Sequence, residues 1–249
     1  MTRGTNVRTT AAIVVLVTVL GAARSFAQSS AWTDKGYASV NGFYQPSSSF
    51  ADLVRPITFG EAAQVDTRYG VAAVPGVDAA AGVRVWRNLA VGVDVGFLTK
   101  SGGGSVSAQM PHPFYFNRPR AVTGDASGLT RSETAINLEA LVMLPIGARW
   151  QAALFGGPTW FTVNQDLVTT VTLSESYPYD TAAFAGATSV RQSRSKAGFN
   201  VGGDLAYMLR PHVGLGAGVR FTRARIALTD TATIVAGGPH VDGGLRLRF

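Results

Sequence analysis

The chain has 249 residues, 46% of them hydrophobic and 15% charged, with 29 glycines, a net charge of +7 and no cysteine. A cysteine-free chain can form no disulfide, no thiolate metal site, no cysteine nucleophile and no lipidated amino-terminal cysteine. The length suits one large all-β domain as well as two small ones.

Arg3 and Arg8 precede an apolar stretch of 13 residues, Ala11 to Ala23, and Ser25 and Ala27 then occupy the small-residue positions of a cleavage site. Such a stretch falls short of the roughly 20 residues a helix needs to cross a bilayer. The expectation is a signal peptide over 1–27, removed on export, and a mature domain over 28–249. Without Arg3, Arg8 and Arg24 the charge falls from +7 to +4, and the exported chain has no dense basic tract. Nucleic acid is therefore not an expected partner.

Along the mature chain, segments alternate in polarity with period two, which marks strands with unlike faces. In "LAVGVDVGFLTK", Leu89, Val91, Val93, Val95 and Phe97 share one face, while Ala90, Gly92, Asp94, Gly96 and Lys100 share the other. Eight such strands are predicted, at about 36–45, 76–87, 89–100, 131–145, 149–164, 196–210, 213–227 and 239–249. Their connections alternate between long polar stretches and tight turns such as Arg87-Asn88 and "PIGA". A membrane barrel segregates its loops in this way, short at the periplasmic end and long outside the cell. An even strand count then leaves both termini on the periplasmic side.

In lipid, backbone groups must pair within the protein, so strands cross a membrane only as a closed barrel. Eight strands enclose a space that side chains can fill. The fold class expected is thus all-β, an eight-stranded antiparallel up-and-down transmembrane barrel. By the same alternation the lumen collects Asp78, Arg84, Asp94, Glu133, Asn137, Glu139, Asp204, Arg210, Arg220, Asp242, Arg246 and Arg248. Buried charges of both signs must pair, so interlocked ion pairs are expected rather than an open pore. The fifth strand, "WQAALFGGPTWFTVN", is apolar on both faces; Pro158 predicts a bulge or break, and the facing stays open. Tyr37, Phe43, Tyr44, Phe97, Trp150, Trp160, Phe161, Tyr207, Phe221 and Phe249 lie near strand ends and fit interfacial aromatic girdles.

With its signal segment, eight alternating strands and final strand "HVDGGLRLRF", the chain resembles the small outer-membrane β-barrel family of OmpA- and OmpX-like domains. The resemblance covers residues 36–249. It implies that Leu245, Leu247 and Phe249 form an assembly signal read by the barrel-assembly machinery during insertion. It also implies the outer membrane of a Gram-negative-type cell, a monomer, and outer-membrane lipid and lipopolysaccharide as partners. No peptidoglycan-binding domain follows the barrel, so wall anchoring is not implied.

Little in the sequence suggests catalysis. Of His112, His212 and His240, only His240 is placed for it, with Thr233 or Asp230 as conceivable partners, and a plain lumen histidine is the simpler expectation. Three scattered histidines make no metal site, and no cofactor motif is present. The best binding surface is the loop stretch "HPFYFNRPR", where Phe114, Tyr115 and Phe116 stand beside Arg118 and Arg120. The competing expectation is that these rings fold back over the barrel mouth or sit in the outer interface. The expected role is structural or adhesive, with a charge-filled lumen and no enzyme activity. Alternatives are a small channel or carrier for a small or apolar solute, a lipid-modifying enzyme, and a soluble lipocalin-like barrel with its faces reversed.

Overall fold

The computed structural model describes residues 32–249; the expected signal peptide lies outside the described residues. They form twelve strands: β1 (Gly36–Gln45), β2 (Ser48–Val54), β3 (Ile57–Thr58), β4 (Glu61–Ala62), β5 (Gln64–Val71), β6 (Val74–Trp86), β7 (Leu89–Met110), β8 (Arg120–Ile146), β9 (Trp150–Glu175), β10 (Ala182–Met208), β11 (Val213–Ala227) and β12 (Thr233–Arg248). Eight of these, β1 and β6 to β12, close an antiparallel ring. Closure is made by β1 against β12, with Val40 opposite Leu245 and Tyr44 opposite Val241.

The alternation fixes which way each strand faces. Val93 on β7 is 43% exposed and Leu215 on β11 51%, whereas Asp94, next to Val93, is 0% exposed. An apolar band therefore faces outward and the ionic side is enclosed, the reverse of a soluble barrel. On β9 the outward residues are Leu154 and Trp160, and the inward ones Phe155, Thr159 and Phe161. Exposed Tyr44, Phe97, Trp160 and Phe199 mark one edge of the band, and Trp86, Trp150 and Phe249 the other. Tyr37, Phe43 and Phe161 do not belong to these girdles. All three point inward, because their strand parity is that of the lumen residues: Phe43 stacks on His240 at 5.0 Å, and Phe161 is buried in an apolar core.

At the long-loop end the structure departs from the sequence-based expectation. The stretches read as second and third outer loops are largely strand: β7 runs on to Met110, β8 begins at Arg120, β9 ends at Glu175 and β10 begins at Ala182. Only the connections 111–119 and 176–181 remain non-strand. The first long loop also folds, with β5 pairing the outer part of β7 and β2 pairing β5. Above the band the faces change sign. Val106, Ala108 and Met110 point inward while Ser105, Ser107 and Gln109 point outward.

Val65, Val163, Leu167, Ile226 and Ile234 join them in one packed core that fills the outer half. Each such burial stabilises by about 1.5–3 kcal/mol. At the opposite mouth Trp32, 2% exposed, packs on Ala90, Leu141, Met143, Ala153 and Phe155. Its backbone carbonyl accepts from Arg84, and its amide donates to Asn88 Oδ1 at 3.3 Å.

Candidate functional site

Two groups of functional side chains emerge, one inside the ring and one at its far end. Inside, Asp94 on β7 is the centre of the network. Its Oδ1 accepts from Asn137 Nδ2 at 2.6 Å and from Arg220. Arg220 reaches across to Glu139 at 3.1 Å and lies over the Phe155 ring at 4.9 Å. Arg246 donates to both oxygens of Asp204 at 2.9 and 3.0 Å and lies 3.3 Å from Asp242. It also donates to Asn41, which in turn donates to Asp78 at 2.6 Å. Asn137 is held in its turn by Thr159 at 2.6 Å, and Thr159 by Asn200 at 3.0 Å.

The strands bring these residues together because every one of them occupies an inward position on a different part of the ring. Glycine makes room: Gly216 and Gly218 stand beside the Arg246 and Asp242 side chains, and a Cβ there would fall 2.6 and 2.8 Å from them.

Three other predicted lumen residues form separate contacts. Arg131 Nε donates to Glu133 at 2.7 Å, and Gly237 N to the other Glu133 oxygen at 3.1 Å, just below the outer core. Arg248 lies 3.4 Å from Asp34 at the short-turn mouth, where Arg84 holds the Trp32 carbonyl. Arg210 is not in the lumen. β10 ends at Met208, and Arg210 is exposed in the turn that follows, its amide donating to Val213 O at 3.0 Å. Asn41, Thr159, Asn200 and Trp32 were not singled out from the sequence. Asn41 and Asn200 have the inward parity of their strands, which was the available signal; Thr159 lies on the strand whose facing the alternation left open.

The histidines are dispersed. His240 lies 3.3 Å from Thr222 and against Phe43. Thr233 and Asp230 are not beside it, since Thr233 starts β12 opposite Ala227 and Asp230 lies in the turn beyond. His212 Nδ1 is 3.0 Å from Arg248 O in the short turn. His112 is buried under the tip and accepts from Phe114 N at 3.1 Å.

At the far end, Phe114, Tyr115 and Phe116 are 67%, 55% and 72% exposed; they do not fold back over the mouth. Arg118 lies over the Tyr115 ring at 5.4 Å and 3.6 Å from Asp180. Arg120 is not part of this face. It is buried, bonding Glu175 at 2.5 Å, Pro111 O at 2.9 Å and Tyr179 O at 3.0 Å, so it fastens two connections together. The exposed apolar surface gains Ile57, Phe59 and Tyr177, and Glu61 ties the β3–β4 hairpin to it by accepting from Asn117 N at 3.0 Å. Ile57 and Phe59 sit in an aperiodic stretch, so alternation gave no hint of them. Leu245 and Leu247 face outward on β12 and Phe249, just past its end, is exposed; Phe249 O accepts from Lys35 N at 2.6 Å and Gly36 N at 2.8 Å.

A closed eight-stranded ring with an apolar outer band, aromatic edges and a charged interior defines an integral outer-membrane β-barrel of the small kind. No family model and no curated protein matches the chain. Solved structures similar to it include Neisserial surface protein A, at 14% identity and TM-score 0.43 over 86% of this chain and 97% of that one. The outer membrane protein OprG from Pseudomonas aeruginosa is 12% identical, with TM-score 0.45 over 87% and 96%. The outer membrane protease OmpT from Escherichia coli is 9% identical, with TM-score 0.45 over 90% and 100%. The wall chemistry of the chain itself carries the assignment.

Proposed function

We propose that this barrel is a structural or surface-binding protein of the outer membrane, presenting its aromatic tip outside the cell, and is neither a conduit nor an enzyme. The observation that carries this reading is the filling of the ring. An apolar core occupies the outer half and Arg220 and Arg246 bridge the lumen below it, so the chemistry left exposed is that of Phe114, Tyr115, Phe116 and Arg118. An apolar and cationic surface on a rigid support suits recognition. Outer-membrane lipid and lipopolysaccharide are the immediate surroundings on this reading, and a monomer suffices for it. No catalytic role is included, because His240 faces Thr222 and a phenyl ring rather than an activated nucleophile.

One observation favours a carrier instead. A cavity of about 80 Å³ lies in the inner half between Leu141, Met143, Phe155 and Met208 on one side and Arg220 and Arg246 on the other. Planar-bilayer recording of the refolded chain tests whether the lumen is closed. A closed barrel should leave conductance at the level of protein-free bilayers, whereas reproducible single-channel steps would overturn the proposal.

A further inference from the structure

β10 and β11 pair from Met208 opposite Gly214 up to Phe199 opposite Arg223, and there the ladder stops. β10 continues along β9 alone, and β11 continues along β12 alone. Gly198 marks the parting: a Cβ there would fall 2.3 Å from the Arg223 carbonyl oxygen, so only glycine lets β11 cross at this point.

Immediately above the parting stand four cations, Lys196 and Arg194 on β10 and Arg223 and Arg225 on β11. All four are exposed. Arg223 and Arg225 have the outward parity of β11, whereas Lys196 and Arg194, opposite Phe161 and Val163, lie on the other face of β10, which the departure of β11 leaves uncovered. Among the described residues none has a carboxylate within 4.0 Å, whereas Arg191, next along β10, is paired with Asp166 at 3.2 Å. Immediately below lie Phe199 and Phe221, their rings 6.0 Å apart, at the outer edge of the apolar band.

At the same height the rest of the wall is uncharged. Thr99 and Ser101 face out on β7, Ser132 and Thr134 on β8, and Thr162 and Asn164 on β9. The positive charge is therefore local to one side. Four exposed cations without counter-charges concentrate positive potential there and attract an anionic partner from outside the chain.

We propose that Arg194, Lys196, Arg223 and Arg225 bind the phosphate groups of an outer-leaflet glycolipid whose acyl chains lie along Phe199, Val201 and Val219. Guanidinium and ammonium groups take phosphate through charge-assisted hydrogen bonds. The position selects a lipid over a soluble polyanion. The cations stand at headgroup height, and the wall directly beneath them is apolar, with Val201 52% and Val219 60% exposed. The inference rests on the membrane placement of the barrel and not on the binding role of the tip, so it can fail while the closed-lumen reading stands.

The test uses the full chain refolded in detergent with bisphosphorylated lipid A as the probe and native mass spectrometry as the readout. The wild type should retain the lipid. The fourfold variant Arg194→Ser, Lys196→Ser, Arg223→Ser, Arg225→Ser should retain it at least tenfold less, since each basic group near such a surface contributes severalfold to affinity. A control lacking three exposed cations at the other end, Arg87→Ser, Arg149→Ser, Arg210→Ser, should match the wild type.

Equal retention by the fourfold variant, or equal retention of lipid A stripped of its phosphates, would overturn the proposal. Displacement of the lipid by equimolar deacylated bisphosphorylated disaccharide would also overturn it, because the site would then belong to a soluble anion. Should the fourfold variant not show the heat-shifted gel mobility of a closed barrel, the pair Arg223→Ser, Arg225→Ser carries the test, with a loss of about fivefold or more expected.

Discussion

Val168 lies at an irregular step of the β9–β10 ladder, where Thr170 pairs Thr188 but Val168 pairs Ser189. Its buried amide donates to the Tyr69 hydroxyl at 2.8 Å, across from β5. Tyr69 itself stacks on Phe50 at 4.5 Å and is 2% exposed. Burial pushes the Tyr69 phenol up to about 12 from its usual value near 10. The native state thus favours the neutral phenol, and that stability is complete below about pH 10 and is lost as pH rises toward about 12. Tyr69→Phe strands a buried amide, which costs about 1–3 kcal/mol. Chemical unfolding followed by near-ultraviolet circular dichroism should show that deficit at pH 8. The gap to the wild type should narrow between pH 10 and 12; a constant gap would exclude the phenol as its source.

Among the strands, β9 carries the sharpest departure from regularity. Its ladder with β8 passes from Asn137 opposite Thr159 to Ala140 opposite Gly156, skipping the positions around Pro158. Proline has no amide hydrogen to give, and unpaired backbone groups at membrane depth are costly. Asn200 on β10 donates from inside the ring to two carbonyls of β9 at the break, with Nδ2 3.1 Å from Gly157 O and 3.4 Å from Pro158 O. Asn200→Leu should therefore lower the urea unfolding midpoint in lipid vesicles by the equivalent of about 1–3 kcal/mol. An unchanged midpoint would show that the break needs no partner.

Pro158 announces the irregularity in the sequence, but its remedy sits on another strand, and local pattern holds no trace of that pairing. The membrane strands are legible for the opposite reason. Leu89 to Phe97 put large apolar groups on one face and Asp94 on the other, a contrast that period two exposes at once. Beyond Lys100 the run Gly102 to Gly104 interrupts the pattern, and although Ser105 to Met110 alternates again its polar face is the outward one, so "SGGGSVSAQM" looks like a loop. It is strand throughout. The tip was legible as chemistry at Phe114 to Phe116 but not as geometry: nothing local distinguishes exposed Arg118 from Arg120, whose guanidinium is buried by partners far along the chain.

Taken whole, the molecule is one sheet with two solvents. In its lower half lipid surrounds an ionic lumen; in its upper half water surrounds an apolar core, and the strands run through both. The two halves should therefore resist opening together. Hydrogen exchange in lipid should find the amides of Val106, Val163 and Ile234 as slow as those of Val93 and Leu215. Exchange within the dead time at the upper three would mean that the outer strands behave as loops.

The continuity of β9 and β10 also has a mechanical side. From Trp160 at the band edge, β9 climbs to Glu175, a length of roughly 50 Å at about 3.3 Å per residue before tilt. A tug on Tyr177 or Phe116 runs lengthwise down strands anchored in the bilayer. It meets the ladder in shear, with many bonds sharing the load, so the tip stands on a stiff mast rather than a tether.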